Sequence, residues 1–195
     1  MSGFPERIAT LRDGTRVLLR EARPEDAPIV RLGFDQLSDR SRQFRFLRTM
    51  PRLSDDDLSF LAGADGNEVI GALDLGADPP RPTGLARYVR IPGRSGAAEV
   101  AITVVDSHQG RGLGTLLFGC LAWQAQRAGL TCFLALVHVR NSAMRALLDD
   151  LGAVVEDDHG GEIQYCLKLR EDPADYPPSP AGDAFRAACR LAAGA

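Results

Sequence analysis

Three glycines at alternate positions, Gly110, Gly112 and Gly114, have the spacing in this chain that points most directly to chemistry. Glycine has no Cβ, so backbone N–H groups beside it can approach a bulky anion without a clash. The segment before them, Glu-Val-Ala-Ile-Thr-Val-Val-Asp (99–106), is rich in β-branched residues and reads as a buried strand. After them, Leu113, Leu116, Leu117, Cys120, Leu121 and Gln124 recur at helical spacing. The helix supplies unpaired first-turn N–H groups and the positive end of its dipole. Strand, glycine turn and helix together make a cradle for a pyrophosphate.

Two common cradles do not fit. A P-loop needs a Lys after its last glycine, and none stands here. The dinucleotide fingerprint needs a third glycine at the position of Thr115 and an acid further on, where Cys132 lies in another apolar run.

Gln109-Gly110-Arg111-Gly112-Leu113-Gly114 does resemble the Gln/Arg-x-x-Gly-x-Gly/Ala motif of the GNAT N-acetyltransferase superfamily. With Ala-Glu-Val-Ala-Ile-Thr-Val-Val-Asp (98–106), Leu-Gly-Ala (151–153) and Arg-Pro-Glu-Asp-Ala-Pro (23–28), it is most similar to the catalytic domains of actinobacterial protein lysine acetyltransferases. The resemblance implies that Gln109, Gly110, Arg111, Gly112, Leu113, Gly114 and Thr115 hold the pyrophosphate of acetyl-CoA. It implies that the backbone of Val104 and Val105 bonds the pantetheine amides and polarises the thioester. Asn141 is a further cofactor contact in many such enzymes, and it also reads as a plain helix N-cap. The acceptor is a protein lysine or a small-molecule amine. A non-catalytic acetyl-CoA-binding sensor is the reading from another class, and no metal is expected.

Acetyl transfer to an amine needs a neutral amine, a base and a stabilised oxyanion. A lysine-like amine has a pKa near ~10.4, so the base must take a proton. Glu99 is the candidate base. It shares a strand face with Ala101, Thr103 and Val105, opposite Val100, Ile102 and Val104. A carboxylate beside small residues on an apolar strand is expected to be partly desolvated, which suits a base. The lysine acetyltransferases that the chain resembles use a glutamate in this strand. Many family members protonate the leaving thiolate with a tyrosine, but Leu148 stands at the matching position. Another group, water, or the leaving ability of the thiolate itself must then serve.

The elements that position these residues follow in order. Residues 1–14 read as a lead-in ending in the turn Asp13-Gly14, residues 15–170 as the acetyltransferase domain, and residues 171–195 as a Pro-rich linker with a short helix. That helix could dock on its own domain or on a partner subunit, making a homodimer. The first strand spans 15–21 and is followed by two helices. The second helix carries Arg40, Arg42, Arg45 and Arg48 with Phe44, Phe46 and Leu47 interleaved. The arginine row reads as a solvated face, with Phe44 and Leu47 free to line an acceptor pocket. Ser54-Asp55-Asp56-Asp57 reads as a capped helix start rather than a metal site.

Strands at 68–75, 85–91 and 99–106 form an antiparallel meander. A helix to about Gly129 and the apolar run 132–139 then make a parallel pair. A helix from Asn141 and a closing hairpin (153–156 and 162–170) complete the order. This is the order of the GNAT fold, an α/β (α+β) architecture with a mixed central sheet of about six to seven strands and helices on both faces.

Composition narrows the partners. The 195 residues hold 23 basic and 26 acidic side chains, net −3, which gives no reason to expect nucleic acid or an anionic membrane. Lys168 is the only lysine, leaving little target for self-acetylation. Cys120, Cys132, Cys166 and Cys189 show no C-x-x-C pairing and read as reduced core residues. His108 and His138 lack metal-spaced partners. The first fourteen residues contain no apolar targeting core and no run reaches membrane-spanning length, so a cytoplasmic protein is expected. Some similar enzymes carry a fused cyclic-nucleotide domain. The chain leaves no room for one, and that regulation is not expected.

Overall fold

The computed structural model describes residues 3–65 and 68–194. Met1, Ser2 and Ala195, at the ends of the expected lead-in and tail, lie outside the described residues. Among the described residues, eight strands form one sheet in the order β1-β2-β3-β4-β5-β6-β8-β7. They are β1 (Arg7–Thr10), β2 (Arg16–Glu21), β3 (Val69–Asp74), β4 (Arg81–Arg90), β5 (Ala97–Val104), β6 (Cys132–His138), β7 (Val154–His159) and β8 (Glu162–Lys168). The described residues also form six α-helices: α1 (Ala27–Asp35), α2 (Asp39–Phe46), α3 (Asp55–Leu61), α4 (Leu113–Arg127), α5 (Ser142–Asp150) and α6 (Pro180–Ala193).

β5 and β6 run parallel because α4 crosses between them; the other neighbouring pairs are antiparallel. α4 buries Leu117, Phe118 and Leu121 against Ala86, Tyr88, Val100 and Phe133 of the sheet. α1–α3 cover the opposite face through Phe34, Leu37, Leu53, Leu58 and Leu61, with Val105 beneath them. That second layer stops short. On the α1–α3 side, no helix among the described residues covers β8 or β7, α2 reaches only the end of β6 at His138, and Leu136 and Val154 stand exposed.

The sheet has one strand more than the six to seven expected. β1 lies inside the expected lead-in and pairs with β2 from Arg7↔Leu19 to Thr10↔Arg16. Its short alternation with an exposed Ile8 gives little sequence signal, and pairing, not composition, makes it a strand. β4 begins at Arg81, ahead of the expected Leu85, because Pro82 is accommodated where the register shifts between Ala72 and Leu73. β7 runs on to His159, so the hairpin turns at Gly160-Gly161, both at positive φ.

The C-terminal helix docks on its own chain, against α4. Phe185 meets Phe118 edge-on at 5.3 Å, and a Cβ on Gly119 would lie 2.5 Å from the Cβ of Ala188. Ser54 caps α3 as expected, accepting from the Asp57 N–H while the Asp57 carboxylate accepts from the Ser54 N–H. No group of metal-binding side chains occurs among the described residues.

Candidate active site

The site starts from a fork in the sheet. Parallel pairing of β5 with β6 runs from Ala97↔Cys132 to Glu99↔Leu134 and then stops, while β5 continues beside β4 to Val104. From Val100 to Val104, one edge of β5 is therefore unpaired over roughly 17 Å of strand. Backbone groups alternate sides along a strand. Val105 donates to Thr83 O at 2.9 Å, on the β4 side, so Ile102 and Val104 turn their backbone groups toward the gap.

A cavity of about 410 Å³ fills this gap. Ile102, Thr103 and Val104 line one wall, Ser41, Phe44 and Arg45 of α2 another, and Asn141 to Met144 at the start of α5 a third. Gly110 and Gly114 close its end. Gly110 (φ 73°) and Gly112 (φ 90°) are both left-handed, a conformation that strains other residues. Gly112 caps α4 without any side-chain cap. The orphan N–H groups of Leu113, Gly114 and Thr115 thus remain as donors at the positive end of a fifteen-residue helix.

The expected site residues separate into those at the cleft and those turned away. Val104, Gly110, Gly114 and Asn141 line it. Gln109 crosses its floor, donating to Val104 O at 3.0 Å and to Ser41 Oγ at 3.1 Å. Arg111 contributes backbone to the turn, but its side chain leaves to pair with Asp13 at 2.5 Å. Leu113 is wholly buried in the core. Val105 is not a cleft residue: its N–H is spent on Thr83 and its side chain lies in the apolar layer beneath α1–α3. Asn141 does act as the N-cap of α5, accepting from the Met144 N–H at 3.2 Å.

Glu99 stands at the last paired position before the fork. It is exposed, not partly desolvated as expected, because no helix covers the sheet face that it shares with Leu136. Leu148 is fully buried in the core, so the side chain at that position does not reach the cleft.

α2 forms the outer wall of the cleft. Asp106 accepts from the Ser38 N–H at 3.0 Å, Ser38 Oγ at 2.7 Å and Ser41 Oγ at 3.0 Å. Partial burial pushes the Asp106 carboxyl up, but these donors win and hold it below the usual aspartate value. The arginine row is a solvated face only in part: Arg40 and Arg48 are exposed, as expected, but Arg42 and Arg45 are half-buried. Arg42 lies over the Phe34 ring at 4.4 Å, Arg40 over Phe44 at 5.2 Å, and Arg45 turns into the cleft. The interleaved phenylalanines were the available signal, since stacked guanidinium groups need aromatic faces nearby. Phe44 packs on His138 at 5.4 Å between centroids and lines the cleft, whereas Leu47 caps α2 in a left-handed conformation. His108 faces Asp74 at 3.3 Å.

Comparison with known proteins fits this geometry. A family model described as an acetyltransferase (GNAT) domain matches residues 16–154. An acetyltransferase of Pseudomonas aeruginosa is 31% identical over 164 residues, covering 83% of this chain and 88% of that protein. The acetyltransferase Pat of Mycolicibacterium smegmatis is 47% identical over 76 residues, which is 38% of this chain but only 23% of Pat. Among solved structures, the GNAT domain of PAT from S. lividans superposes with a TM-score of 0.76 at 28% identity, covering 84% of this chain and 97% of that domain.

Proposed function

The chain belongs to the GNAT acetyltransferase family, and from that premise we propose that it moves the acetyl group of acetyl-CoA to a protein lysine with Glu99 as general base. The observation that carries the lysine reading is the bare sheet face beside Glu99. Leu136 and Val154 are exposed there, leaving an open surface rather than a closed pocket. A side chain presented by a macromolecule can reach Glu99 across it.

The chain's own groups divide the work. The turn at Gly110–Gly114 and the first N–H groups of α4 hold the donor's phosphates. Backbone groups of Ile102 and Val104 bond the donor arm along the unpaired edge of β5 and polarise the thioester carbonyl. Gln109 must release Val104 O for that bond to form there. Glu99 takes the ammonium proton, directly or through water, so that the neutral amine attacks. Leu148 offers no proton, and the thiolate leaves into solvent with a thiol pKa near ~8.5 to help it. No helix among the described residues is long and apolar enough to cross a membrane, and we place the enzyme in the cytoplasm.

The test is CoA release from acetyl-CoA in the presence of a host extract split by size. Activity on the macromolecular fraction that is lost in Glu99→Gln supports the proposal. Activity confined to the small-molecule fraction assigns a metabolite amine instead. Tight acetyl-CoA binding with release on neither fraction makes the protein a sensor.

A further inference from the structure

Arg45 is a half-buried cation at the acyl end of the cleft that no hydrogen-bond acceptor among the described residues satisfies. Among the described residues its guanidinium makes one recorded contact, with the neighbouring Phe46 ring at 5.0 Å. Most other partly buried arginines reach oxygen with the side chain, among them Arg20 on Asp26, Arg42 on Phe34 O, Arg87 on Asp65 and Arg145 on Val139 O, whereas Arg170 lies away from the cleft with its Nε unpartnered. A guanidinium withdrawn from water without an acceptor is costly. That withdrawal, with the charge of Arg87 nearby, pulls its pKa down to about 10, so it still carries its charge near neutral pH.

Its position tells what it faces. Ser41 marks the phosphate end of α2 through its bonds to Asp106 and Gln109. Arg45 lies one helical turn further, about 6 Å along the axis toward Glu99, opposite Ile102 and Thr103. The nearby charges are Arg87 on β4, already paired with Asp65, and Glu99 on β5. Behind Arg45 and Thr103 opens a second, apolar cavity of about 70 Å³, walled by Phe34, Leu37, Phe46 and Val105. Leu47, directly after this segment, holds a left-handed φ of 56°, the one non-glycine residue so strained among those described.

We propose that Arg45 reads a carboxylate at the far end of the acyl group, so that the enzyme accepts dicarboxylic acyl-CoA thioesters such as succinyl-CoA. The inference rests on the acyl-CoA reading of the fork. The two methylenes of a succinyl group lie against Thr103 and the apolar wall, and the carboxylate forms a charge-assisted bond with the guanidinium. The chemistry at the thioester is unchanged. The ammonium proton passes to Glu99 or water, the neutral amine nitrogen bonds to the carbonyl carbon, the C–S bond breaks as the adduct collapses, and the second N–H proton goes to the departing thiolate or to solvent. A butyryl group of similar length leaves the guanidinium unsatisfied.

The experiment uses the full chain with acetyl-, butyryl- and succinyl-CoA, reading affinity by calorimetry and CoA release on an Nα-acetyl-lysine amide acceptor. Succinyl-CoA is expected to exceed butyryl-CoA by about tenfold or more in affinity and in kcat/KM. Arg45→Met should erase that ratio, and Arg45→Lys should keep part of it. The ratio is read within each variant, so a general loss of folded protein cancels. If succinyl-CoA does no better than butyryl-CoA, or its advantage survives Arg45→Met, the inference is overturned while the acetyltransferase reading stands. If Arg45→Met instead impairs only acceptors that carry a free carboxylate, with acetyl-CoA as donor, the carboxylate belongs to the acceptor and the inference is again wrong. If no thioester binds at all, the acyl-CoA reading itself falls, and the inference with it.

Discussion

Gly112 and Gly119 belong to the same helix, α4, one as its N-cap and one near its middle. At Gly112 the missing side chain permits a φ of 90° and leaves the helix end open to a ligand. At Gly119 the backbone is ordinary helix, and the missing side chain lets Phe185 O and Ala188 of α6 come within touching distance of α4. One end of α4 is left without a side-chain cap; its flank is sealed by a second helix and by Phe118, Phe185 and Tyr176 packed ring on ring. The contrast teaches that binding and stability draw on separate parts of one element. A change at the open end should therefore spare folding, and a change at the seam should spare the chemistry.

The largest expected effect tests the open side. Glu99→Gln should lower kcat/KM by about 10²- to 10⁴-fold, while acetyl-CoA affinity and thermal midpoint stay close to wild type. Because Glu99 is exposed, a large fall in stability would show that it is structural instead. Next comes the sealed flank. Phe185→Ala removes a fully buried ring and should cost about 3–5 kcal/mol in urea unfolding. The variant should retain near-normal acetyl-CoA affinity below its unfolding transition; an equal loss of affinity would join the two regions that we separate.

Gly112→Ala should raise the acetyl-CoA Kd about tenfold, since a side chain at positive φ costs on the order of 1–3 kcal/mol and re-aims the first N–H groups of α4. Calorimetry reads it directly, and an unchanged Kd would remove the turn from the binding site. The smallest effect concerns pH. The Asp106 carboxyl is held below its usual range, so the stability it lends to α2 is fully present above about pH 4 and fades as pH falls through the lower folded value. Asp106→Asn, which cannot accept from the Ser38 N–H with its amide nitrogen, should weaken α2 docking at neutral pH and lose the acid dependence. Amide exchange across Asp39–Phe46 measures both.

Much of this was legible before any coordinates. The β-branched run 99–106, the alternate glycines and the apolar stripe of α4 each obey a local rule, and all three elements formed, the strand ending at Val104, two residues short of the expected end. The caps at Ser54 and Asn141 followed from side-chain chemistry within a single turn. What depended on pairing was not legible. β1 becomes a strand only because β2 offers it an edge. Val105 seemed equivalent to Val104 until the side of the strand facing β4 was known, since the two differ only in which neighbour takes the backbone bonds. Glu99 sits on an apolar strand yet meets solvent, because burial depends on whether a helix arrives to cover that face. Arg45 looked like one charge in a polar row, and its meaning came from the cavity on either side. Sequence alone thus determined most of the elements and the glycine turn, whose physics spans a few residues. Tertiary structure decided which backbone edge is free, which charge lacks a partner and which glycine makes room for a helix, because each of those depends on an atom contributed from far along the chain.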